Sequence, residues 1–342
     1  MKAVIFKQHG GPEVLEYVEA PDPTIKANEI LVEVKACALN HLDVWARGGL
    51  PGIEIHLPHI LGSDIAGVVR EVGELVSWVR TGDEVMLQPG VSCGHCAECL
   101  SGRDNLCRDY DMLGYRRDGG YAQLVAAPAV NVIPKPKNLG WEEAAALPLV
   151  TVTAWHMLVT RAAVQPGEDV LIQAAGSGVG SIGIQVAKLR GARVIATASS
   201  DEKLTKAKEL GADEVVNYTR DDWPKEVKRL TNRKGVDVVF EHTGAATWPG
   251  SIVSLKNNGR LVTCGATSGF AAQVDIRQIF YRHLTVFGSF MGSKSELLEA
   301  MKFIESGKIR AVVDQKLPLA EARRAHELME HRAQFGKLVL VP

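Results

Sequence analysis

Four cysteines with metal-ligand spacing lie in the first third of the chain. The pattern C-x2-C-x2-C-x7-C is formed by Cys93, Cys96, Cys99 and Cys107. Four thiolates complete a tetrahedral zinc shell and leave no position for water or substrate, so the pattern predicts one structural Zn²⁺. An iron–sulfur cluster and unmetallated thiols are the alternatives. The two remaining cysteines, Cys37 and Cys264, stand alone, which argues against a disulfide framework.

A glycine-rich turn follows a predicted strand at residues 169–173. The turn consists of Gly176, Ser177, Gly178, Val179 and Gly180. Small residues let the backbone approach a pyrophosphate, and the N-terminus of the next helix offers free N–H groups. Because the turn stands between a strand and a helix at the head of a βαβ series, it predicts a dinucleotide-binding site.

The end of the next strand bears on which dinucleotide binds. An acidic residue there would bind the ribose 2′-hydroxyl of NAD, but the strand ends in Ala198, Ser199 and Ser200. The missing carboxylate, the two hydroxyls and the charge of Lys203 together favour NADP(H) over NAD(H). Taken alone, Lys203 is better explained as a solvated helix residue.

The elements that position these residues fall into two regions. Short apolar runs at 3–6, 30–34 and 65–69, separated by Gly, Pro and Asp, predict a β-rich region over the first 130 residues. Beyond a loop at 134–137, strands alternate with helices, which predicts a parallel sheet covered on both faces. The predicted strands are at 169–173, 193–197, 214–216, 236–240, 260–263 and 284–287. Helices at 296–306 and 319–332 and a strand at 338–341 are expected to follow.

Size and composition limit the class of protein. A chain of 342 residues suits two domains, and its net charge of −1 predicts neither a nucleic-acid nor a membrane partner. The polar residues that soon follow the first apolar run lead us to expect no signal peptide, and no apolar run is long enough to cross a bilayer. We therefore expect a soluble, cytoplasmic protein that acts on a small molecule.

Together these features resemble the medium-chain dehydrogenase/reductase superfamily over essentially the whole chain. The matching stretches are Gly62-x-Asp64-x-x-Gly67, Gly82-Asp83-Glu84-Val85, the cysteine array, the glycine turn and residues 209–213. The resemblance implies an α/β fold with two domains. A GroES-like β-rich catalytic domain would span 1–134 and 291–342, and a Rossmann doubly wound parallel sheet would span 135–290. It also implies a homodimer or homotetramer in which the strand near 285–287 pairs across subunits.

The sequence departs from the zinc alcohol dehydrogenases at the catalytic metal. Their Cys-His-x-Asp is Asn40-His41-Leu42-Asp43 here, and their Gly-His-Glu-x-x-Gly begins Gly62-Ser63-Asp64. Residues 149–153, where their third protein ligand lies, offer no thiolate, imidazole or carboxylate. A catalytic zinc needs about three protein ligands, so we expect it to be absent. A site rebuilt from His41, His59 and Asp64 is the alternative.

The Asn-x-x-Asp loop and the glycine turn are instead similar to the quinone oxidoreductase and enoyl reductase branch. In that branch NADPH gives a hydride to a quinone or an activated C=C bond. By similarity, Lys203, Tyr218 and Arg332 would hold the 2′-phosphate. The nicotinamide side would be lined by Thr153, Thr243, Gly244, Cys264, Gly265, Ala266, Gly288, Ser289 and Phe290. That branch usually lacks the four-cysteine lobe, so this chain combines features of both branches.

The expected reaction is hydride transfer to an enone or a quinone. Negative charge then develops on the carbonyl oxygen, and Asn40 is the candidate hydrogen-bond donor. Asp43 and Asp64 are expected to orient their neighbours; water is a candidate source of the proton, and no side chain is identified as its donor. Rival hypotheses are an alcohol or aldehyde dehydrogenase, an enoyl-thioester reductase, and a non-catalytic NADPH sensor or RNA-binding protein. The absence of a dense basic cluster and the neutral charge argue against the thioester and RNA alternatives.

Overall fold

The computed structural model describes the whole chain, Met1–Pro342, as two compact units. The first unit comprises Met1–Leu149, Ser293–Leu298 and Ala311–Pro342, and the second comprises Val150–Gly292 and Glu299–Arg310. The first boundary between the units, after Leu149, lies further along the sequence than the predicted boundary at 134–135. The reason is the helix at Trp141–Ala145, which packs against strands of the first unit.

The chain forms eighteen strands and eleven α-helices. The strands are β1 (Lys2–Phe6), β2 (Glu16–Glu19), β3 (Glu29–Ala38), β4 (His59–Ile60), β5 (Asp64–Val72), β6 (Glu84–Leu87), β7 (Gly90–Val91), β8 (Asp111–Met112), β9 (Leu124–Pro128), β10 (Val132–Pro134), β11 (Asp169–Ile172), β12 (Arg193–Ala198), β13 (Glu214–Asn217), β14 (Val236–Glu241), β15 (Leu255–Thr263), β16 (Thr285–Gly288), β17 (Val313–Pro318) and β18 (Lys337–Val341). The helices are α1 (His41–Gly48), α2 (Ala97–Leu100), α3 (Trp141–Ala145), α4 (Pro148–Trp155), α5 (Gly178–Leu189), α6 (Asp201–Glu209), α7 (Trp223–Leu230), α8 (Trp248–Ser254), α9 (Ile276–Tyr281), α10 (Lys294–Glu305) and α11 (Ala322–Glu330). No helix is long and apolar enough to span a membrane.

The first unit is built around a seven-stranded sheet. Its order is β10-β6-β5-β3-β18-β17, with β9 also paired to β3. Ala38 at the end of β3 pairs with Asp64 on one side and with Val339 of β18 on the other. Three segments distant in sequence therefore meet at one end of this sheet. The core beneath them includes Phe6 and Tyr121, both fully buried.

The second unit contains the predicted doubly wound parallel sheet. Its order is β13-β12-β11-β14-β15-β16, and all five pairings are parallel. The middle of β11, Val170–Ile172, is completely buried, as expected for a strand covered on both faces. The strand order reverses between β11 and β14. In sheets of this type, ligands bind beyond the carboxyl ends of the strands at that reversal.

Candidate functional site

The four cysteines of the predicted metal site come together in a lobe of the first unit. All four Sγ atoms lie within 4.8 Å of one another. Cys96 precedes the first residue of α2 and Cys99 lies within this helix, and their Sγ atoms are 3.5 Å apart. Gly94 and Gly102 adopt positive φ angles of 79° and 76°, which lets the loop turn sharply around this cluster. The geometry fits a single tetrahedral ion with sulfur ligands.

One thiol of the lobe is disposed toward its metal-binding form, and the lobe is anchored to α10. Backbone N–H groups of His95 and Cys96 donate to the Cys93 thiol and lower its pKa to about 6, which favours the thiolate that zinc binds. Asp104 Oδ1 accepts the backbone N–H of Lys294 at 2.9 Å, at the start of α10. A metal in the lobe would therefore also order this helix end.

The glycine-rich turn lies between β11 and α5 in the second unit, as predicted. Ser177 caps α5, and its hydroxyl accepts the N–H of Gly180 at 2.9 Å. A Cβ on Gly180 would lie 2.6 Å from the carbonyl oxygen of Ala174, so no larger residue fits without a shift. The free N–H groups at the start of α5 and the small residues before it fit a dinucleotide pyrophosphate.

His242 supports this turn and was not predicted from the sequence. Its Nε2 lies 2.9 Å from the carbonyl oxygen of Gln173 and 3.3 Å from the Ser177 hydroxyl. Burial lowers the pKa of His242, so the ring is neutral at pH 7. Because the carbonyl only accepts, Nε2 carries the proton and donates to it. The ring thereby ties the end of β11 to the start of the turn.

Glu241 organises the predicted Thr243-Gly244 turn beyond β14. Its carboxylate is completely buried and accepts the N–H groups of Thr243 at 2.7 Å and Gly244 at 3.1 Å. It also accepts the hydroxyls of Thr247 and Ser251. Four donors on one carboxylate make this turn rigid.

Most of the other residues predicted near the nicotinamide lie at or just beyond the ends of β15 and β16, and Thr153 lies in a helix. The Thr263 hydroxyl donates to the carbonyl of Gly265, and the Thr263 carbonyl accepts the N–H of Ser289 at 2.8 Å. Thr153 in α4 is buried, with its hydroxyl 4.0 Å from Met291 Sδ. Desolvation raises the pKa of Cys264 to about 12, so this thiol stays protonated. Ala266, Gly288 and Phe290 lie in the same strand-end segments.

The predicted 2′-phosphate residues cluster where β12 meets α6, with one exception. Ser200 caps α6 and accepts the N–H of Lys203, and the N–H of Tyr218 donates to the carbonyl of Ala198. The exception is Arg332, which belongs to the first unit and follows α11. Arg220 was not predicted, yet it lies 3.3 Å from Asp201 at the start of α6 and opposes that carboxylate's charge.

The predicted catalytic residues meet in a buried cluster of the first unit, and a lysine joins them. Asn40 Nδ2 donates to Asp64 Oδ2 at 2.8 Å. The Nζ of Lys337 lies 2.6 Å from Asn40 Oδ1 and 2.9 Å from Asp64 Oδ2. Asp64 Oδ1 accepts the N–H of Leu149 at 2.8 Å. Sequence reasoning missed Lys337, because nothing in its local pattern marks a buried charge.

Asp43 is held by a second set of partners. Its Oδ2 accepts the N–H of Asn40 at 2.8 Å and the hydroxyl of Tyr121 at 3.1 Å, and its Oδ1 accepts the N–H of Gly62. Burial raises the pKa of Asp43 to about 6. The Tyr121 hydroxyl in turn lies 3.2 Å from Nε2 of His326. These contacts suit a carboxylate that orients the Asn40 loop.

The same cluster does not fit a catalytic metal. Both Asp64 oxygens and the Asn40 amide oxygen already accept hydrogen bonds. The ammonium of Lys337 donates two of these, and its positive charge would repel a metal cation. Ser63, at the other expected ligand position, is buried and offers a neutral hydroxyl, which is a poor zinc ligand. His59 lies beside Asp118 at 3.4 Å and packs against Phe6.

Comparisons with known proteins agree with both units. A family model described as alcohol dehydrogenase GroES-like domain matches residues 26–137, and one described as zinc-binding dehydrogenase matches residues 178–306. An alcohol dehydrogenase of Geobacillus stearothermophilus is 35% identical over 341 residues and 99% of each chain. Quinone oxidoreductase 1 of Escherichia coli is 32% identical over 351 residues and 98% of each chain. A crystal structure described as an NAD-dependent alcohol dehydrogenase is 52% identical, with a TM-score of 0.97 and complete coverage of both chains.

Proposed function

Because this chain belongs to the medium-chain dehydrogenase/reductase superfamily, as an oxidoreductase of the zinc alcohol dehydrogenase-like family, we propose that it is a reductase without a catalytic metal. Its proposed substrates are quinones and activated C=C bonds, and its proposed cofactor is NADPH. The observation that carries this proposal is the cluster of Asn40, Asp64 and Lys337, which offers hydrogen bonds and a fixed charge where zinc ligands are missing.

The proposed chemistry needs a donor for a developing negative charge. When bound, the reduced nicotinamide supplies a hydride to the β-carbon of an enone or to a quinone. The Nδ2 of Asn40 would donate to the substrate oxygen, which gains negative charge as the hydride arrives. A proton from water completes the saturated ketone or the hydroquinone. Asp43 and Asp64 hold Asn40 in place through its backbone N–H and its side-chain amide.

NADPH is proposed over NADH from the end of β12. Ser199, Ser200 and Lys203 supply hydroxyls and a positive charge there, and Ala198 supplies no carboxylate. NADH is the second candidate, since the 52%-identical solved structure is described as NAD-dependent. The two are distinguished by the ratio of kcat/KM for NADPH and NADH on one acceptor.

We also propose a homodimer or homotetramer. Strand β16 is an edge strand, paired only with β15. Val286 on this strand and Phe280 and Tyr281 on α9 are exposed large apolar residues of the same unit. An unpaired edge with apolar surface nearby favours pairing with a second copy, which light scattering on the purified protein would detect.

The function is tested on chelator-washed protein with NADPH and a panel of acceptors. The panel contains a quinone, an α,β-unsaturated ketone, an enoyl thioester and, with NADP⁺, a primary alcohol. We expect NADPH oxidation with the quinone or the ketone, unchanged by chelation. Alcohol oxidation that disappears on chelation would instead support an alcohol dehydrogenase, the activity for which two of the similar proteins are named. Asn40→Ala is the matched variant and should lower kcat by about 10²-fold.

A further inference from the structure

Lys337 is a buried charge for which the proposed reaction so far has no use. It opens β18, and its side chain is only 4% exposed. A buried ammonium is costly unless it is paired and hydrogen-bonded. Lys337 satisfies this requirement with the carboxylate of Asp64 at 2.9 Å and the amide oxygen of Asn40 at 2.6 Å. Asp64 balances the charge, and the contact with Asn40 gives the ammonium a second acceptor on the residue that is proposed to contact the substrate.

The two charged partners together determine which way the Asn40 amide faces. An ammonium can only donate, so the Asn40 atom beside Lys337 is the oxygen. An ionised carboxylate can only accept, so the atom beside Asp64 is the nitrogen. Nδ2 has two hydrogens, and Asp64 takes one of them. The other is the hydrogen that a substrate oxygen could accept.

We propose that Lys337 is a positioning residue for the reaction, which holds the Asn40 amide so that an N–H, and not the carbonyl oxygen, is presented to the substrate. The positive charge on the oxygen side of the amide also polarises the group and strengthens the N–H as a donor. This proposal rests on the proposed function of Asn40. A purely structural Lys337 would donate to the same two acceptors, so the test needs a readout that reports on the amide itself.

The kinetic test separates positioning from structure. Lys337→Met keeps the length of the side chain and removes its charge and its donors. We expect kcat with the enone to fall by about 10²-fold, the loss typical of one well-placed donor, while KM and the Kd for NADPH change by less than about 3-fold. Lys337→Arg retains the charge and should recover most of kcat. If Lys337→Met fails to fold because Asp64 is left unpaired, Lys337→Met/Asp64→Asn removes both charges. Because Asp64 also contacts the amide, this double variant is compared with Asp64→Asn alone, and its kcat should be the lower of the two.

A double-mutant cycle asks whether Lys337 acts through Asn40. In an Asn40→Ala background, Lys337→Met should change kcat by less than about 3-fold, since the amide is already gone. Effects that simply multiply would overturn the proposal.

A readout independent of turnover keeps this proposal distinct from the proposed function. In protein labelled with ¹⁵N-asparagine, the side-chain NH₂ signals of Asn40 are assigned by their loss in Asn40→Ala. We expect two separate proton signals in the wild type and in Lys337→Arg, and broadened or shifted signals in Lys337→Met. Unchanged signals in Lys337→Met would show that the amide does not depend on Lys337, and would overturn the proposal whatever the substrate. No turnover on the acceptor panel, together with the expected signals, would reject the proposed function alone.

Discussion

The guanidinium of Arg47 lies 2.9 Å from Nδ1 of His326, and both side chains are buried. Because arginine only donates, Nδ1 must accept, and the proton of the neutral ring is on Nε2. Nε2 then donates to the Tyr121 hydroxyl, which donates to Asp43. The direction of each hydrogen bond from Arg47 to Asp43 is therefore set by the residue types. This hydrogen-bond series ends at the carboxylate that holds the Asn40 loop.

His326 predicts how the stability of the protein depends on pH. Burial and the charge of Arg47 lower the pKa of His326 to about 3, from about 6.5 when unfolded. Its contribution is fully present above pH 6.5 and is lost as pH falls from there toward 3, at about 1.4 kcal/mol per pH unit. His326→Gln cannot take up this proton. The free energy of unfolding, measured with urea, should therefore fall between pH 7.5 and pH 5 by about 2 kcal/mol more in the wild type than in the variant. Equal losses would show that His326 can be protonated in the folded protein.

Tyr121→Phe tests the middle of the same hydrogen-bond series. The variant removes a donor to Asp43 and leaves the Nε2–H of His326 buried without an acceptor. We expect the free energy of unfolding to fall by about 1–3 kcal/mol, the cost of a buried unsatisfied group. The control is Tyr17→Phe, at a tyrosine that is 45% exposed, and it should change stability by less than about 0.5 kcal/mol. A Tyr121→Phe protein as stable as this control would show that these hydrogen bonds of Tyr121 do not stabilise the fold.

Gly180→Ala tests the dinucleotide site. The new Cβ would lie 2.6 Å from the carbonyl oxygen of Ala174 and 2.8 Å from the Ser177 hydroxyl, so the turn must shift. We expect the Kd for NADPH to rise at least tenfold, measured by quenching of tryptophan fluorescence. Gly48→Ala, where a Cβ meets nothing within 4 Å, is the matched control and should bind NADPH normally. Normal NADPH binding by Gly180→Ala would indicate that the cofactor does not bind at this turn.

Lys203→Ala tests the proposed preference for NADPH. Removing one charge from the proposed 2′-phosphate site should raise the Kd for NADPH by about tenfold or more and leave the Kd for NADH unchanged. Lys206→Ala is the control, because it removes the same charge about one turn further along the same helix. Equal effects of Lys203→Ala on both cofactors would remove the basis for choosing NADPH.

The sequence predicted the parallel sheet and the metal lobe because both have local signatures. Alternating strands and helices mark the sheet, and cysteine spacing marks the lobe. The alternation also predicts helices between the later strands, without their bounds. Helices α7 and α8 lie there, and Pro224 and Pro249 fall in their first turns, where proline is well tolerated.

The support of the candidate site could not be predicted in the same way. Lys337 is 297 residues from Asn40, and Tyr121 is 205 residues from His326. Such partners are brought together by the pairing of β18 beside β3 and by the packing of α11, which leave no trace in local periodicity. A buried polar residue in an apolar run therefore looks like an exposed one until the fold is known.

We propose that the protein keeps a structural metal and uses Asn40, Asp64 and Lys337 where a catalytic metal would be bound. The most direct measurement is zinc per subunit, by elemental analysis of chelator-washed protein. We predict one zinc in the wild type and in His41→Ala, and none in Cys96→Ser/Cys107→Ser, since the four Sγ atoms form the metal-ligand group. Two zinc ions per subunit, one of them lost in His41→Ala, would contradict the claim and make alcohol dehydrogenation the leading hypothesis.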